Sequence, residues 1–192
     1  MQRRDFMLLT ASLATGGLAL AGCTATPQPG TANAETRRRE IHVAVDATLD
    51  RFYTVAKDAR EMVAKSHGVL VFPRVITAGL GIGGQYGEGE LRVRDAPPSY
   101  YSLTSVSLGL QIGAQSKAII FLFMTPESLA KFRSSSGWAV GVDAAVAVLK
   151  AGANGMIDTT SATGPVLAFV LTNAGLMANL SLEGTKISKL NI

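Results

Sequence analysis

The 192-residue chain has one cysteine, one tryptophan and two histidines, and only 17% of its residues are charged. A lone cysteine, Cys23, excludes a disulfide framework and any thiolate cluster around a metal. The two histidines, His42 and His67, have no second ligand near them at metal spacing, and three or four convergent ligands are needed, so both read as surface or helix-capping residues. A net charge of +4 is mild. Without residues 1–22 the balance is 16 basic against 13 acidic side chains, too little for a nucleic-acid-binding surface. Beyond residue 22 no stretch is long and apolar enough to span a bilayer, and the length left is enough for one domain with its own core.

The N-terminus has what the rest lacks. "MQRRDFMLLTASLATGGLALAGC" joins a basic tip, Arg3 and Arg4, to an apolar run from Phe6 to Ala21 and then to small residues, the pattern of a removable export signal. Leu20-Ala21-Gly22-Cys23 resembles a bacterial lipobox, which implies that Cys23 is acylated and becomes the first residue of the mature protein. Three acyl chains, at about 0.8 kcal/mol per buried methylene, would hold such a protein to a membrane. Thr24 stands where an aspartate would favour inner-membrane retention, which points to the periplasmic face of the outer membrane. Arg3-Arg4-Asp5-Phe6-Met7 resembles a twin-arginine export signal, although Gln2 departs from that pattern and a plain basic tip reads equally well.

The expected organisation is a signal over 1–22, a lipidated cysteine with a flexible tether over 23–39, and one domain over 40–192. The residues Thr24 to Glu35 are small, polar and proline-containing, as in a linker. Ile41, Val45, Leu49, Phe52, Ala56, Ala59 and Val63 then recur at three and four residues, which predicts one amphipathic helix from Glu40 to Lys65. Val69 to Phe72, Gly79 to Arg94, Tyr100 to Gln115 and Lys117 to Met124 read as strands of an antiparallel sheet. Thr125-Pro126-Glu127 predicts a short helix from Pro126 to Arg133. Gly137 to Leu149 reads mostly as strand, and Met156 to Asp158, Val166 to Asn173 and Met177 to Leu190 as further strands. The fold class is α+β: an antiparallel, strongly twisted or barrel-like sheet packed with one long N-terminal amphipathic helix and a short second one.

Gly79-Leu80-Gly81-Ile82-Gly83-Gly84 fits the G-x-G-x-x-G pattern of dinucleotide loops, but that loop must open a helix. Here Gln85-Tyr86-Gly87-Glu88-Gly89-Glu90 follows, and two more glycines at about 1 kcal/mol each rule the helix out. Gly79, Gly81, Gly83, Gly87 and Gly89 all occupy odd positions, so in a strand they strip one face of side chains. Such a face is kept where a bend, a packed element or a ligand needs room. Its expected occupant is the domain's own helix or a lipid chain.

"SHGVLVFPRVITAGLGIGGQYGEGEL", "SVSLGLQIGAQSKAIIFLFMT", "GVDAAVAVL" and "GLMANLSLEGTKIS" together resemble the SYLF domain, found in bacterial lipoproteins and in eukaryotic proteins that bind phosphoinositides and actin. The resemblance runs from about Val45 to Leu190 and implies a compact α+β domain, lipid or membrane binding, no cofactor and no established enzymatic activity.

Among residues with chemistry, Ser128 and Lys131 match S-x-x-K without its partner motifs, and no nucleophile, base and orienting acid converge. Glu88 and Glu90 read as a solvated strand end beside Arg92 and Arg94, or else as an acid pair. Asp143, alone in an apolar run, either caps a turn or pairs with Arg74 or Lys186. Basic residues outside obvious ion pairs are Arg37, Arg38, Arg39, Lys65, Arg74, Lys186 and Lys189, and with Gly79, Gly81 and Gly83 they form the candidate lipid-binding set. The expected function is a non-catalytic envelope lipoprotein binding anionic phospholipid or another lipid. The alternative is a structural or adaptor lipoprotein with an envelope protein as partner.

Overall fold

The computed structural model describes residues 31–109, 115–149, 156–157, 164–177, 182 and 184–192, with the backbone alone at 31–32, 78–82 and 107–109. The export signal and Cys23 lie outside the described residues. Helices α1 (Thr31–Val55), α2 (Ala59–Lys65) and α3 (Pro126–Ser134) accompany strands β1 (Gly68–Val93), β2 (Ser99–Gly109), β3 (Gln115–Phe123), β4 (Trp138–Ala139), β5 (Val146–Leu149), β6 (Val166–Thr172), β7 (Gly175–Met177) and β8 (Lys186–Lys189). The strands make one sheet in the order β4-β8-β2-β1-β3-β6-β5, with β7 on β6, curled into a half-barrel. The α+β expectation holds. The sheet is mixed and not purely antiparallel, because β5 runs parallel to β6.

The predicted single helix is two. Ile41, Val45, Leu49 and Phe52 of α1 are buried as the periodicity requires, and so are Ala56, in the break that follows, and Ala59, which opens α2. Asp58 causes no side-chain cap there; its carboxylate instead accepts the Ile157 amide at 3.3 Å, a local alternative to continuing the helix that aspartate favours. At its other end α1 begins at Thr31, so residues 31–39 are helical where composition suggested a tether. After Gly30 that stretch has neither glycine nor proline, and its Ala, Glu and Arg favour helix.

Two predicted strands, in turn, are one. β1 runs through 26 residues, pairing with β3 over Gly68 to Thr77 and with β2 over Gly81 to Leu91. Between Phe72 and Val75 the ladder shifts, Pro73 and Arg74 standing opposite Ala118 alone, a β-bulge placed where proline is tolerated. The extra residue reverses the parity of the strand. Before it Leu70 and Phe72 face the inner core; after it Val75 and Leu91 do.

That reversal puts the odd-numbered glycines on the inside of the curl. A β-carbon at Gly89 would stand 2.2 Å from the Val71 carbonyl oxygen and 2.7 Å from Phe72 Cδ1. At Gly87 it would stand 2.8 Å from Val75 Cγ2 and 2.9 Å from the Arg74 carbonyl oxygen. At these two glycines the bare face is therefore filled by the first half of the same strand, and not by a helix or a lipid chain. Gly79 and Gly81 lie in β1 where only the backbone is described, Gly81 opposite Gly109, and Gly83 pairs with Ser107.

Two apolar layers follow. Inside the curl, Phe121, Phe123, Tyr101 and Trp138 gather around Phe132 of α3, with Phe132 and Trp138 edge to face at 5.5 Å. Outside, α1 covers Val69, Val71, Ile120, Leu122, Leu167 and Phe169. β3 and β6 are thus covered on both faces, which is why they read as continuous apolar runs. Thr125 caps α3 as expected, its hydroxyl oxygen accepting the Ser128 amide at 3.2 Å. Gly137 to Leu149 contains β4 and β5 separated by a turn, and Asp143 closes that turn by accepting the Ala139 amide at 2.6 Å, so the capping alternative holds.

A matched pair of substitutions tests the self-crossing strand. Gly89→Ala forces a methyl group onto backbone that cannot step aside and is expected to cost at least about 2 kcal/mol. Gly84 has nothing within 4 Å of its would-be β-carbon, so Gly84→Ala should stay within about 0.5 kcal/mol of wild type. Urea unfolding followed by the emission of Trp138 measures both; equal midpoints would contradict the crossing.

Candidate functional site

The even face of the second half of β1 meets α1, and the contact is ionic. Arg37 forks onto Glu88: Nε donates to Oε2 at 2.8 Å and Nη2 to Oε1. Tyr86 donates its hydroxyl to the same Oε1 at 2.6 Å. One pleat along, the fully buried Glu90 accepts from Arg92 Nε at 2.6 Å and lies 3.0 Å from His42 Nδ1, the donor in the tautomer that serves it. Arg92 Nη1 also reaches Asp46 on α1 at 2.7 Å. Glu88 and Glu90 are accordingly neither a solvated strand end nor an acid pair. Glu90 is fully buried and Glu88 partly so, and a buried carboxylate persists only with bases in hydrogen-bond contact.

The local electrostatics follow from these contacts. The hydrogen bond from Arg37 holds the Glu88 carboxyl below the usual glutamate value against the opposing effect of partial burial, and Tyr86 adds to it. The bond to Glu88 raises the Arg37 guanidinium in return. Burial, then the bond to Glu88, raises the Tyr86 phenol. Burial alone would lower Arg92, but its bonds to Glu90 and Asp46 outweigh it and leave the guanidinium raised.

The candidate lipid-binding cations divide into spent and free. Arg37 is tied to Glu88, and Lys65 to Glu61 at 2.6 Å, so neither stands outside ion pairs as their sequence context suggested. Their partners lie 51 residues away in one case and a single helical turn away in the other. Arg38 donates Nε to the carbonyl oxygen of Ile192 at 2.7 Å, bringing the Arg37-Arg38-Arg39 run beside the C-terminal residue, while Lys186 and Lys189 lie on opposite faces of β8. Arg39, Lys186 and Lys189 are exposed, and among the described residues none of them makes an ion pair. Arg74 stands exposed in the β1 bulge, with no hydrogen bond or ion pair joining it to that group among the described residues.

The remaining candidates resolve into structural roles. The Ser128 hydroxyl donates to the Thr125 and Pro165 carbonyl oxygens at 2.8 and 3.0 Å, while Lys131 donates to the Asp143 carbonyl oxygen, so the S-x-x-K pair does not converge. Among the described residues no three His, Cys, Asp or Glu side chains are grouped to hold a metal, and no helix is long and apolar enough to cross a membrane.

A depressed carboxylate contributes stability that is present above its unfolded pKa and lost as pH falls through the folded one. Glu88→Gln, which removes the charge and keeps the shape, is therefore expected to cost about 1 kcal/mol at neutral pH, a modest figure because Arg37 is half exposed. The gap from wild type should shrink as pH falls below the ordinary glutamate value of about 4.3 and vanish below the folded pKa of Glu88. Denaturant titrations at several pH values check this; a gap unchanged in acid would contradict it.

No curated protein matches the chain. Residues 104–191 match a protein-family model described as "Ysc84: Las17-binding protein actin regulator". The match spans β3 to β8 and most of β2, while α1 and the glycine-rich β1 precede it. Over this segment the match supports the resemblance to the SYLF domain.

Proposed function

We propose that this chain is a membrane-anchored lipoprotein of the bacterial envelope whose SYLF domain binds lipid, anionic phospholipid foremost, without catalysis. The observation that carries the reading is the bond from Arg38 to Ile192, which joins the basic run of α1 to the C-terminal residue, three residues beyond Lys189. Arg39 lies toward the end of the domain nearest the tether, and it, Lys186 and Lys189 would each contribute on the order of 1 kcal/mol at an anionic surface. Thr31 opens α1 eight residues after Cys23, so an acyl group on Cys23 would hold this end within about 30 Å of the bilayer. Residues 1–22 serve as the export signal, and Thr24 after Cys23 favours the periplasmic face of the outer membrane. A bacterial envelope domain meets no actin of its own cell, so actin regulation is no part of this function.

The mature chain from residue 23 with Cys23→Ser, which lacks the acyl anchor, tests the reading by flotation with vesicles. Binding to phosphatidylglycerol-containing vesicles at low salt, absent on phosphatidylcholine and weakened by salt, is expected. Arg39→Glu with Lys189→Glu should reduce it. No flotation at low salt would sink the lipid reading in favour of an adaptor that binds an envelope protein.

A further inference from the structure

A groove of about 440 Å³ lies away from the α1–β1 contact, between the last turn of α2, the end of β1 and α3. That volume falls within the range of small-ligand sites, roughly 300–1,000 Å³. Its floor is apolar, formed by Val93 and Leu129, and its rim carries Lys65, His67, Arg94 and Arg133. α3 is held against β1 by another glycine: a β-carbon at Gly68 would stand 2.8 Å from Leu129 Cδ1.

The cations of the rim are not equivalent. Lys65 shares its charge with Glu61. Arg94 has one weak contact, Nη2 at 3.5 Å from the Ala64 carbonyl oxygen, and Arg133 has no ion pair among the described residues. A helix C-terminus disfavours an anion, but the end of α2 is already capped. The Ser66 amide reaches the Met62 and Val63 carbonyl oxygens and the Ser66 hydroxyl donates to Val63, while Arg94 lies over Ala64. The field in the groove is thus set by the two guanidiniums, whose forked donors suit phosphate oxygens.

We propose that this groove binds the phosphate of an amphiphile, a phospholipid headgroup, with Arg94 and Arg133 on the phosphate and the apolar floor under the glycerol and the first methylenes. The proposal rests on the lipid reading above and gives it a specific subsite. An apolar floor beside two arginines favours a phosphate carried on carbon over a free phosphate ion, whose hydration the floor would not replace.

The two histidines make the test direct, since His67 borders the groove and His42 sits in the α1–β1 contact as an internal control. Imidazole proton resonances of the mature Cys23→Ser chain would be followed at constant ionic strength and pH during titration with dihexanoyl-phosphatidylglycerol or with inorganic phosphate. The expected result is a saturable shift of His67 with His42 unmoved, at a concentration about tenfold or more lower for the lipid than for phosphate. Arg94→Glu with Arg133→Glu should weaken that binding by about tenfold or more while leaving the His42 resonances in place, the sign that the fold is intact. Equal affinity for phosphate would overturn the amphiphile assignment. A His67 resonance unmoved by either probe would overturn the site. Flotation that persists in the double-glutamate variant, with His67 silent, would reject the groove and keep the basic end of α1; loss of flotation in the wild type would reject the wider lipid reading.

Discussion

The structure depends on a steric constraint, the approach of β1 to itself. A strand of 26 residues twists along its length, and this one coils until Gly89 and Gly87 rest on the backbone of Val71 and Arg74. Any side chain at Gly89 would hold the halves apart by more than the 2.2 Å that its β-carbon would have. Because the halves close on each other, one strand can pair with β3 along its first part and β2 along its second, and that shared strand joins the two sides of the half-barrel. The aromatic cluster around Phe132 fills the space so enclosed, and α1 lies across the outside.

Charge is distributed to match. The acids of β1 are paired: Glu88 with Arg37 of α1, and Glu90 with His42 of α1 and with Arg92 of β1, which itself reaches Asp46 on α1. These bonds fix how the helix crosses a strand that itself changes direction, a task that apolar packing alone, being non-directional, performs poorly. Among the described residues, the exposed cations outside ion pairs include Arg39, Lys186 and Lys189, Arg74 in the β1 bulge, and Arg94 and Arg133 around the α3 groove. The formal charge of +4 by itself bears only on solubility; the unpaired cations are what an anionic partner would meet.

Much of this was legible in the sequence, for physical reasons specific to each element. The α1 stripe and the Thr125-Pro126 start of α3 are local patterns that tertiary packing left alone. The parity of the glycines was legible too, but its occupant was not, because Pro73 and Arg74 form a bulge that turns the strand onto itself, and two-residue periodicity carries no information about such a turn. The break at Ala56 to Asp58 depends on Ile157, and the parallel β5–β6 pair on strands some twenty residues apart, so neither had a local signal. The Glu90 cluster was missed because alternation in a strand end beside arginines resembles solvent exposure. Its trace was the i, i+4 spacing of His42 and Asp46, facing Glu90 and Arg92 two residues apart, a complementarity readable only once α1 is known to lie on the even face.

The self-crossing of β1 is open to a direct distance measurement in solution. Nuclear Overhauser contacts between the Gly89 α-protons and the ring protons of Phe72 report it without any substitution. The structure requires strong cross-peaks, since the Gly89 β-carbon position is 2.7 Å from Phe72 Cδ1. Their absence in the folded protein, with the β1–β2 ladder otherwise intact, would contradict the constraint on which the rest of the architecture stands.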